Sequence, residues 1–463
     1  MKKNKQGDSN NRKKFWKLGV PEFNTQYFDF NKDGELIVKE GNNQYNVRFL
    51  AEKLGTPLEI FFPFILEERV EDLLDITSAL MKKLHYGGKF YYHYPMKVNQ
   101  NKEVVLSLVG EGANLETGSY NELWLVKRMV EQESFNPKIR IICNGPKTDK
   151  YINLIDDLQH RGLKVIPVVE GPNELKVLRY SRYSIGIRLD IPVKVQSRWD
   201  KTVDRFGFSA DEILSLGKMK NLKLLHYHVG SQIELLSDIL NPIKYALDVF
   251  FRLKKINPSL DTLDIGGGMP IPYNRVKGYS VSSLMAKILK LMKSEADKRG
   301  MPHPDLRCEW GRYMVAPSQI TVYKVIDVKN VPPKSGRAKK WYIIDGSFMN
   351  DLLDTWAIHQ KWHVVPGTDK PDAKAIKVWL AGSSCDSDDI YTGQGSSIVL
   401  PNYDGNGGQS LYLAFLDSGA YQDPLASHHC LLSSPLKAIA ENGQIIIIRR
   451  RETPEDVGKL FGW

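Results

Sequence analysis

The sequence predicts an α/β fold: a closed (β/α)8 barrel of the TIM type, followed by a C-terminal antiparallel β domain. Three observations carry this prediction. Apolar runs of buried-strand length recur eight times between Lys89 and Glu309, with amphipathic helical segments between them. Beyond Val315 the rhythm changes: apolar runs follow one another across Gly, Pro and Asp turns, with no long helix intervening. The chain of 463 residues is long enough for one barrel and one further domain.

Residues 1–20 carry Lys2, Lys3, Lys5, Arg12, Lys13, Lys14 and Lys17 against Asp8 alone. Such a stretch reads as a disordered, solubilising extension in preference to a nucleic-acid tail. Residues 21–60 form a segment expected to join the β domain. Within it a short β region from Tyr27 to Tyr45 turns at Asn31-Lys32-Asp33-Gly34. A helix starting at Tyr45 is stopped by Gly55, and Pro57–Phe62 is extended and apolar. The barrel is expected over 61–318. Its strands are Lys89–Val98, Ala113–Thr117, Ile139–Asn144, Leu163–Val169, Ser184–Leu189, Leu222–His228, Thr262–Ile265 and Leu306–Glu309. Between strands, Ile243, Leu247, Phe250 and Phe251 share one helical face, as do Leu284, Ile288, Leu291 and Met292. Eight units favour closure, with an open doubly wound sheet as the structural alternative. The β domain is expected over 319–463, with runs at Ile320–Val328, Lys340–Ile344, Ala375–Ala381, Ser397–Leu400, Ser410–Phe415 and Gln444–Arg449.

Bulk properties narrow the class. Hydrophobic residues make up 42% and charged residues 25%, with a net charge of +10, as in a globular protein outside the membrane. No apolar run is long enough to cross a bilayer, so no membrane partner is expected, and no nucleic-acid partner either. The basic N-terminus lacks the apolar stretch of a secretory signal. Cys143, Cys308, Cys385 and Cys430 form no Cys-x-x-Cys pair. Neither a metal site nor a disulfide framework is expected, and a reducing cytoplasm fits.

Function in a β/α barrel gathers at the C-terminal ends of the strands. Here those ends are polar in succession: Lys97 and Asn99; Glu116 with Gly118 and Ser119; Asn144-Gly145; Glu170; Arg188; His226 to Ser231; Gly266-Gly267-Gly268; and Glu309-Trp310-Gly311-Arg312. Polar groups on buried strands are costly without partners. A lone Gly-Gly-Gly is commonly a turn and a lone His commonly structural, so the joint placement carries the argument. The chemistry that fits has an amine nucleophile, an anion cradle and a planar cofactor. Lys97 can form an imine with an aldehyde. Gly266 to Gly268 can bring backbone amides close to a phosphate, aided by Ser231 and Arg312. His228 can stack on an aromatic ring, and Glu309 can keep a pyridine nitrogen protonated.

The blocks Tyr94-Pro-Met-Lys97-Val-Asn-Gln100, Leu115-Glu-Thr-Gly-Ser119, His228-Val-Gly-Ser231-Gln, Asp264-Ile-Gly-Gly-Gly268, Glu309-x-Gly-Arg312, Cys385-Asp-Ser-Asp388 and Gly419-Ala-Tyr421-Gln occur in order. Together they resemble the fold type III, alanine-racemase-like group of pyridoxal-phosphate decarboxylases, from about Tyr45 to Gln422. The biosynthetic arginine decarboxylases are the most similar members, through the Lys97 block with Gln100, Leu115–Ser119, Cys143-Asn144-Gly145, Cys385–Asp388, Asp354-Thr-Trp356-Ala-Ile and Gly419–Gln422. The chain departs from them in lacking a long helical insertion before Trp356. It also has Trp310 where they have a small residue or proline, and His359 where they show an acidic one.

The resemblance implies pyridoxal 5′-phosphate as cofactor and Lys97 as its Schiff-base lysine. His228 would stack on the ring and Glu309 would pair with its nitrogen. Glu116, Ser231, Gly266, Gly267, Gly268, Gly311, Arg312 and Tyr421 would complete the cofactor site. Cys385 would reach the active site of a neighbouring subunit and protonate the substrate carbon after CO2 leaves, giving a head-to-tail homodimer with shared sites. Asp386, Arg188 and His359 would bind a small basic amino acid. The expected reaction is arginine to agmatine, within polyamine synthesis. Ornithine, lysine, diaminopimelate or a D-amino acid remain open as substrates, and so does a non-catalytic regulatory paralogue.

Overall fold

The computed structural model describes residues 12–132, 138–196, 205–273, 275, 278–333, 338–369, 374–393, 396–405 and 409–463. The chain divides into two compact units. One holds Glu67–Ile271 and Lys277–Met314, and the other holds the chain up to Leu66, Pro272–Val276 and Val315–Trp463. Both junctions lie a few residues inside the predicted 61–318 span.

Four strands come first: β1 (Phe28–Phe30), β2 (Leu36–Glu40), β3 (Asn43–Asn46) and β4 (Leu58–Phe61). The first three form a small antiparallel sheet. The helix Val47–Leu54 starts where the Asn46 side chain accepts from the Phe49 amide, and it ends at Gly55, whose φ of 76° suits glycine.

The barrel strands are β5 (Phe90–Pro95), β6 (Asn114–Thr117), β7 (Arg140–Cys143), β8 (Lys164–Val169), β9 (Ile185–Arg188), β10 (Leu222–His226), β11 (Thr262–Asp264) and β12 (Asp305–Cys308). All eight predicted runs form strands. They pair in parallel in chain order, and β12 pairs back onto β5. That last ladder excludes the open doubly wound sheet. Ile142, Val168 and Leu224 pack together with no exposure, as in the filled interior of a small barrel. Side-chain caps start several crossover helices, with Ser119, Thr148 and Ser280 each accepting from an amide of the first turn.

The second unit contributes β13 (Gln319–Asn330), β14 (Lys340–Ile344), β15 (His363–Pro366), β16 (Ala375–Ala381), β17 (Ile398–Pro401), β18 (Tyr412–Leu416), β19 (Leu436–Glu441) and β20 (Gln444–Arg449). The sheet runs β17-β16-β14-β13-β4-β19-β20, with β18 on β13 and β15 on β18. It was expected to be antiparallel, but β14–β16 and β4–β19 run parallel, so the sheet is mixed. Parallel pairs need long connections. For β4 and β19 that connection is most of the chain, which no local pattern reveals.

The basic extension expected over 1–20 is shortened by the structure. Residues 1–11 lie outside the described residues. From Arg12 onward the chain packs in the sheet unit: Trp16 and Leu18 are buried, Trp16 Nε1 donates to Asp369 Oδ2 at 2.8 Å, and Lys13 pairs with Asp29 at 3.0 Å. Trp16 and Leu18 supply the apolar area that a purely polar tail would lack. No helix among the described residues is long and apolar enough to cross a membrane.

Candidate active site

Lys97 sits on a 3-10 turn, Met96–Val98, directly after β5. Tyr94 Oη donates to the Asn99 carbonyl at 2.8 Å and holds this turn. A Cβ on Gly311 would stand 2.5 Å from Val98 Cγ2 and 2.6 Å from Pro95 Cγ. Only glycine therefore lets the segment after β12 close on the Lys97 turn. The register pairs Pro95 with Glu116, which brings Lys97 Nζ to 3.3 Å from Glu116 Oε2. The amine is half-exposed while the carboxylate is fully buried. Glu122 ties the two blocks together, accepting from the Gly118 amide at 2.7 Å and from Gln100 Nε2 at 2.8 Å.

Opposite lies a buried cluster. Glu309 Oε1 accepts from Asn144 Nδ2 at 2.9 Å. His226 and Asp264 are register partners, with His226 Nδ1 3.4 Å from Asp264 Oδ2 and 3.9 Å from Glu309 Oε1. Burial pushes Glu309 well above the usual carboxylate range, and the Asp264 and Glu116 charges add to the shift while Lys97 opposes it. Burial also acts upward on Asp264, but the His226 ring beside it prevails and holds that carboxyl low.

The glycine run does something its composition did not announce. Gly266 donates to Asp264 Oδ1 and Gly267 donates to His228 Nδ1, both at 3.0 Å. These two amides, expected to face a phosphate, instead fix a carboxylate and an imidazole. Because His228 Nδ1 accepts, the ring carries its proton on Nε2. Gly266 and Gly268 have φ of 61° and 117°, and a Cβ on Gly267 would meet His228 Cε1 at 2.9 Å. Gln232 fastens the neighbouring loop, donating to the Ile271 carbonyl at 2.9 Å and accepting from its amide at 2.8 Å. Ser231 adjoins Gln232 and is half-buried, and Arg312 is buried on the short helix Gly311–Val315. Trp310 is itself buried and packs edge-on against Tyr313.

Arg188 ends β9. Its guanidinium pairs with Glu170 Oε2 at 2.9 Å and lies over the Phe206 ring at 4.5 Å. The other predicted residues belong to the sheet unit. Cys385 is exposed, with its sulfur 3.5 Å from that of Cys430. The hydrogen bond to Cys430 pushes the Cys385 thiol up, so it keeps its proton at neutral pH. Asp386 Oδ2 lies 3.1 Å from His429 Nε2. Tyr421 is half-buried with φ of 69°, and His359 is an exposed left-handed cap of the helix Asp354–Ile358. Sequence reasoning gave no role to Asn144, His226 or Asp264, although all three stand in strand-end motifs. Cys430 and His429 carried no signal at all, since they approach Cys385 and Asp386 from over 40 residues away.

Pyridoxal phosphate fits these residues. Glu116 faces the half-exposed Lys97 amine, Asp264 and Glu309 are buried at the ends of β11 and β12, and Glu116 Oε1 is buried with no hydrogen-bond partner among the described groups. A protonated pyridine ring would balance that negative charge, and Lys97 can hold an aldehyde covalently. A parallel barrel with a half-exposed amine at the end of one strand and a buried carboxyl at the end of another has the groups a pyridoxal-phosphate enzyme needs. The chain belongs to the pyridoxal-dependent decarboxylase family: the pyridoxal binding domain matches residues 73–316 and the C-terminal sheet domain matches residues 279–404. Its cofactor is pyridoxal phosphate. The biosynthetic arginine decarboxylase of Bacteroides thetaiotaomicron is 27% identical over 344 residues, 66% of this chain and 54% of that protein. The chain thus spans about half the length of the curated relatives it matches. The structure of the Campylobacter jejuni biosynthetic arginine decarboxylase superposes with a TM-score of 0.82 at 20% identity, over 96% of this chain and 90% of that one. A diaminopimelate decarboxylase from M. jannaschii gives 0.79 at 22% identity, over 94% and 97%. At these identities the two structures share the fold.

Proposed function

We propose that this chain decarboxylates L-arginine to agmatine and CO2. The observation that carries the reading is the half-exposed Lys97 amine at the end of β5, facing buried Glu116 and the Glu309 cluster. The relatives named as arginine decarboxylases support arginine as the substrate.

When bound, pyridoxal phosphate supplies an electron sink for the carbon that loses CO2. Lys97 Nζ anchors it, and Glu116 orients that amine. Glu309, braced by Asn144, would pair with the protonated ring nitrogen, whose charge would offset the burial that otherwise keeps the carboxyl protonated. His228, fixed in one tautomer by Gly267, covers the ring face. Ser231, Gly268 and Arg312 would hold the cofactor phosphate, while the Gly266 and Gly267 amides keep Asp264 and His228 in place. Arg188, its charge balanced by Glu170, would meet the substrate carboxylate, while Asp386 of the partner subunit would meet the distal cation. Cys385 of the partner subunit, protonated at neutral pH, delivers a proton to the substrate α-carbon. The working unit is a head-to-tail homodimer in a reducing cytoplasm, a reading the free thiols support.

A CO2-release screen over L- and D-arginine, L-ornithine, L-lysine and diaminopimelate tests the substrate. L-Arginine should turn over fastest and yield agmatine; faster release from any other compound sinks the arginine reading. Borohydride should fix the cofactor at Lys97. A colourless protein, or one that Lys97→Ala leaves unchanged, removes Lys97 from its role.

A further inference from the structure

Cys143 and Cys308 are buried in the barrel, as inert thiols usually are. Cys385 and Cys430 differ: both are exposed, and their sulfurs lie 3.5 Å apart although 45 residues separate them. The loops that carry them are pinned independently. On one side, buried Asp389 accepts from the Ser384 amide at 3.2 Å and from the Phe348 amide at 2.7 Å, and Asp386 Oδ1 accepts from the Asp388 amide at 2.9 Å. On the other, buried Asn350 clamps both backbone groups of His429, donating to its carbonyl at 2.9 Å and accepting from its amide at 3.1 Å. The contact between His429 Nε2 and Asp386 Oδ2 at 3.1 Å ties the two loops together. Cys430 and Leu431 are held at φ of 57° and 52°, a left-handed conformation that non-glycine residues adopt only when their surroundings impose it. Two fixed loops thus hold two solvent-facing sulfurs in contact. A disulfide needs about 2.05 Å between sulfurs, a closure within reach of side-chain rotation.

We infer that Cys385 and Cys430 are a peroxide-responsive modification site, closing to a reversible intrachain disulfide that switches the enzyme off. The loss of activity rests on the reading of Cys385 as proton donor; the bond itself does not. One thiolate attacks the peroxide O–O bond, forming an S–O bond as one water leaves, which gives a sulfenic acid. The second sulfur then attacks the first, the S–S bond forms, and a second water leaves. Each sulfur loses one electron and the peroxide takes both. A thiol reductant reverses the step. The oxidised Cys385 has no proton to deliver. A peroxide is smaller than the amino acid that has to approach the same thiol.

The test treats holoenzyme with one equivalent of hydrogen peroxide and follows mass and turnover together. The expected product is about 2 mass units lighter, with a mapped Cys385–Cys430 peptide link. Its turnover should fall about 10²-fold or more and return with dithiothreitol. Cys430→Ser should keep full activity before oxidation and form no link with one equivalent; with two or more equivalents it should lose activity irreversibly as Cys385 proceeds through the sulfenic to the sulfinic acid. Absence of the link, or identical responses from wild type and Cys430→Ser, overturns the inference. A link that forms without loss of turnover overturns the switch, and with it the proton-donor reading rather than the bond.

Discussion

Glu309 illustrates how a single residue acquires its chemistry from its surroundings. An isolated glutamate ionises at neutral pH, yet here burial, Asp264 and Glu116 all favour the protonated form. A protonated ring nitrogen beside it would offset those effects and return Glu309 to the anion that pairs with it. Glu309→Gln keeps a carbonyl oxygen for Asn144 but removes the anion. A lost charge-assisted hydrogen bond costs about 1.5–3 kcal/mol, so kcat should fall roughly 10- to 100-fold. Thermal stability should hold, because the substitution also relieves like-charge crowding. Unchanged kcat in the holoenzyme would remove Glu309 from the ring nitrogen. The residue types were legible in the sequence at every strand end; their partners were not. Asn144 reaches Glu309 across 165 residues, and the Gly267 amide turned out to serve His228.

Among the elements, the N-terminal segment depends on β15. His363 opens that strand, is buried, and donates from Nε2 to the Trp16 carbonyl at 2.8 Å. Its Nδ1 is buried without a hydrogen-bond partner among the described residues. Burial therefore lowers its pKa to about 4. The folded state binds fewer protons than the unfolded state between that value and the ordinary 6.5. The stabilisation is accordingly complete above about pH 6.5 and is lost as pH falls toward 4, by an amount on the order of 3 kcal/mol. Melting curves from pH 8 to 4 should show this loss, and His363→Gln, which retains an N–H donor, should flatten it. Equal pH slopes in both proteins would disprove the assignment. The sequence did not reveal β15, whose four residues include a proline and lie in a turn-rich stretch.

For the molecule as a whole, the proposed shared site makes activity a property of two chains. Lys97→Ala and Cys385→Ala would each be inactive, by different faults. Mixed and allowed to exchange subunits in equal amounts, half the dimers would be hybrids with one intact site of two. Activity should therefore return to about a quarter of wild type. No recovery, with exchange verified by mass, would place Lys97 and Cys385 of one chain in the same site.

What the sequence determined by itself was local. Hydrophobic period sets strand and helix, so all eight barrel strands and the change of rhythm after Val315 could be read directly. The residue types of the candidate site could be read because barrel chemistry sits at strand ends. Tertiary structure decided everything that depends on the chain returning to itself. The pairing of β12 with β5 closed the barrel, and the pairing of β4 with β19 made the sheet mixed. Cys430 met Cys385 only because two clamped loops converge. Such contacts depend on packing between distant segments, and no periodicity along the chain encodes them.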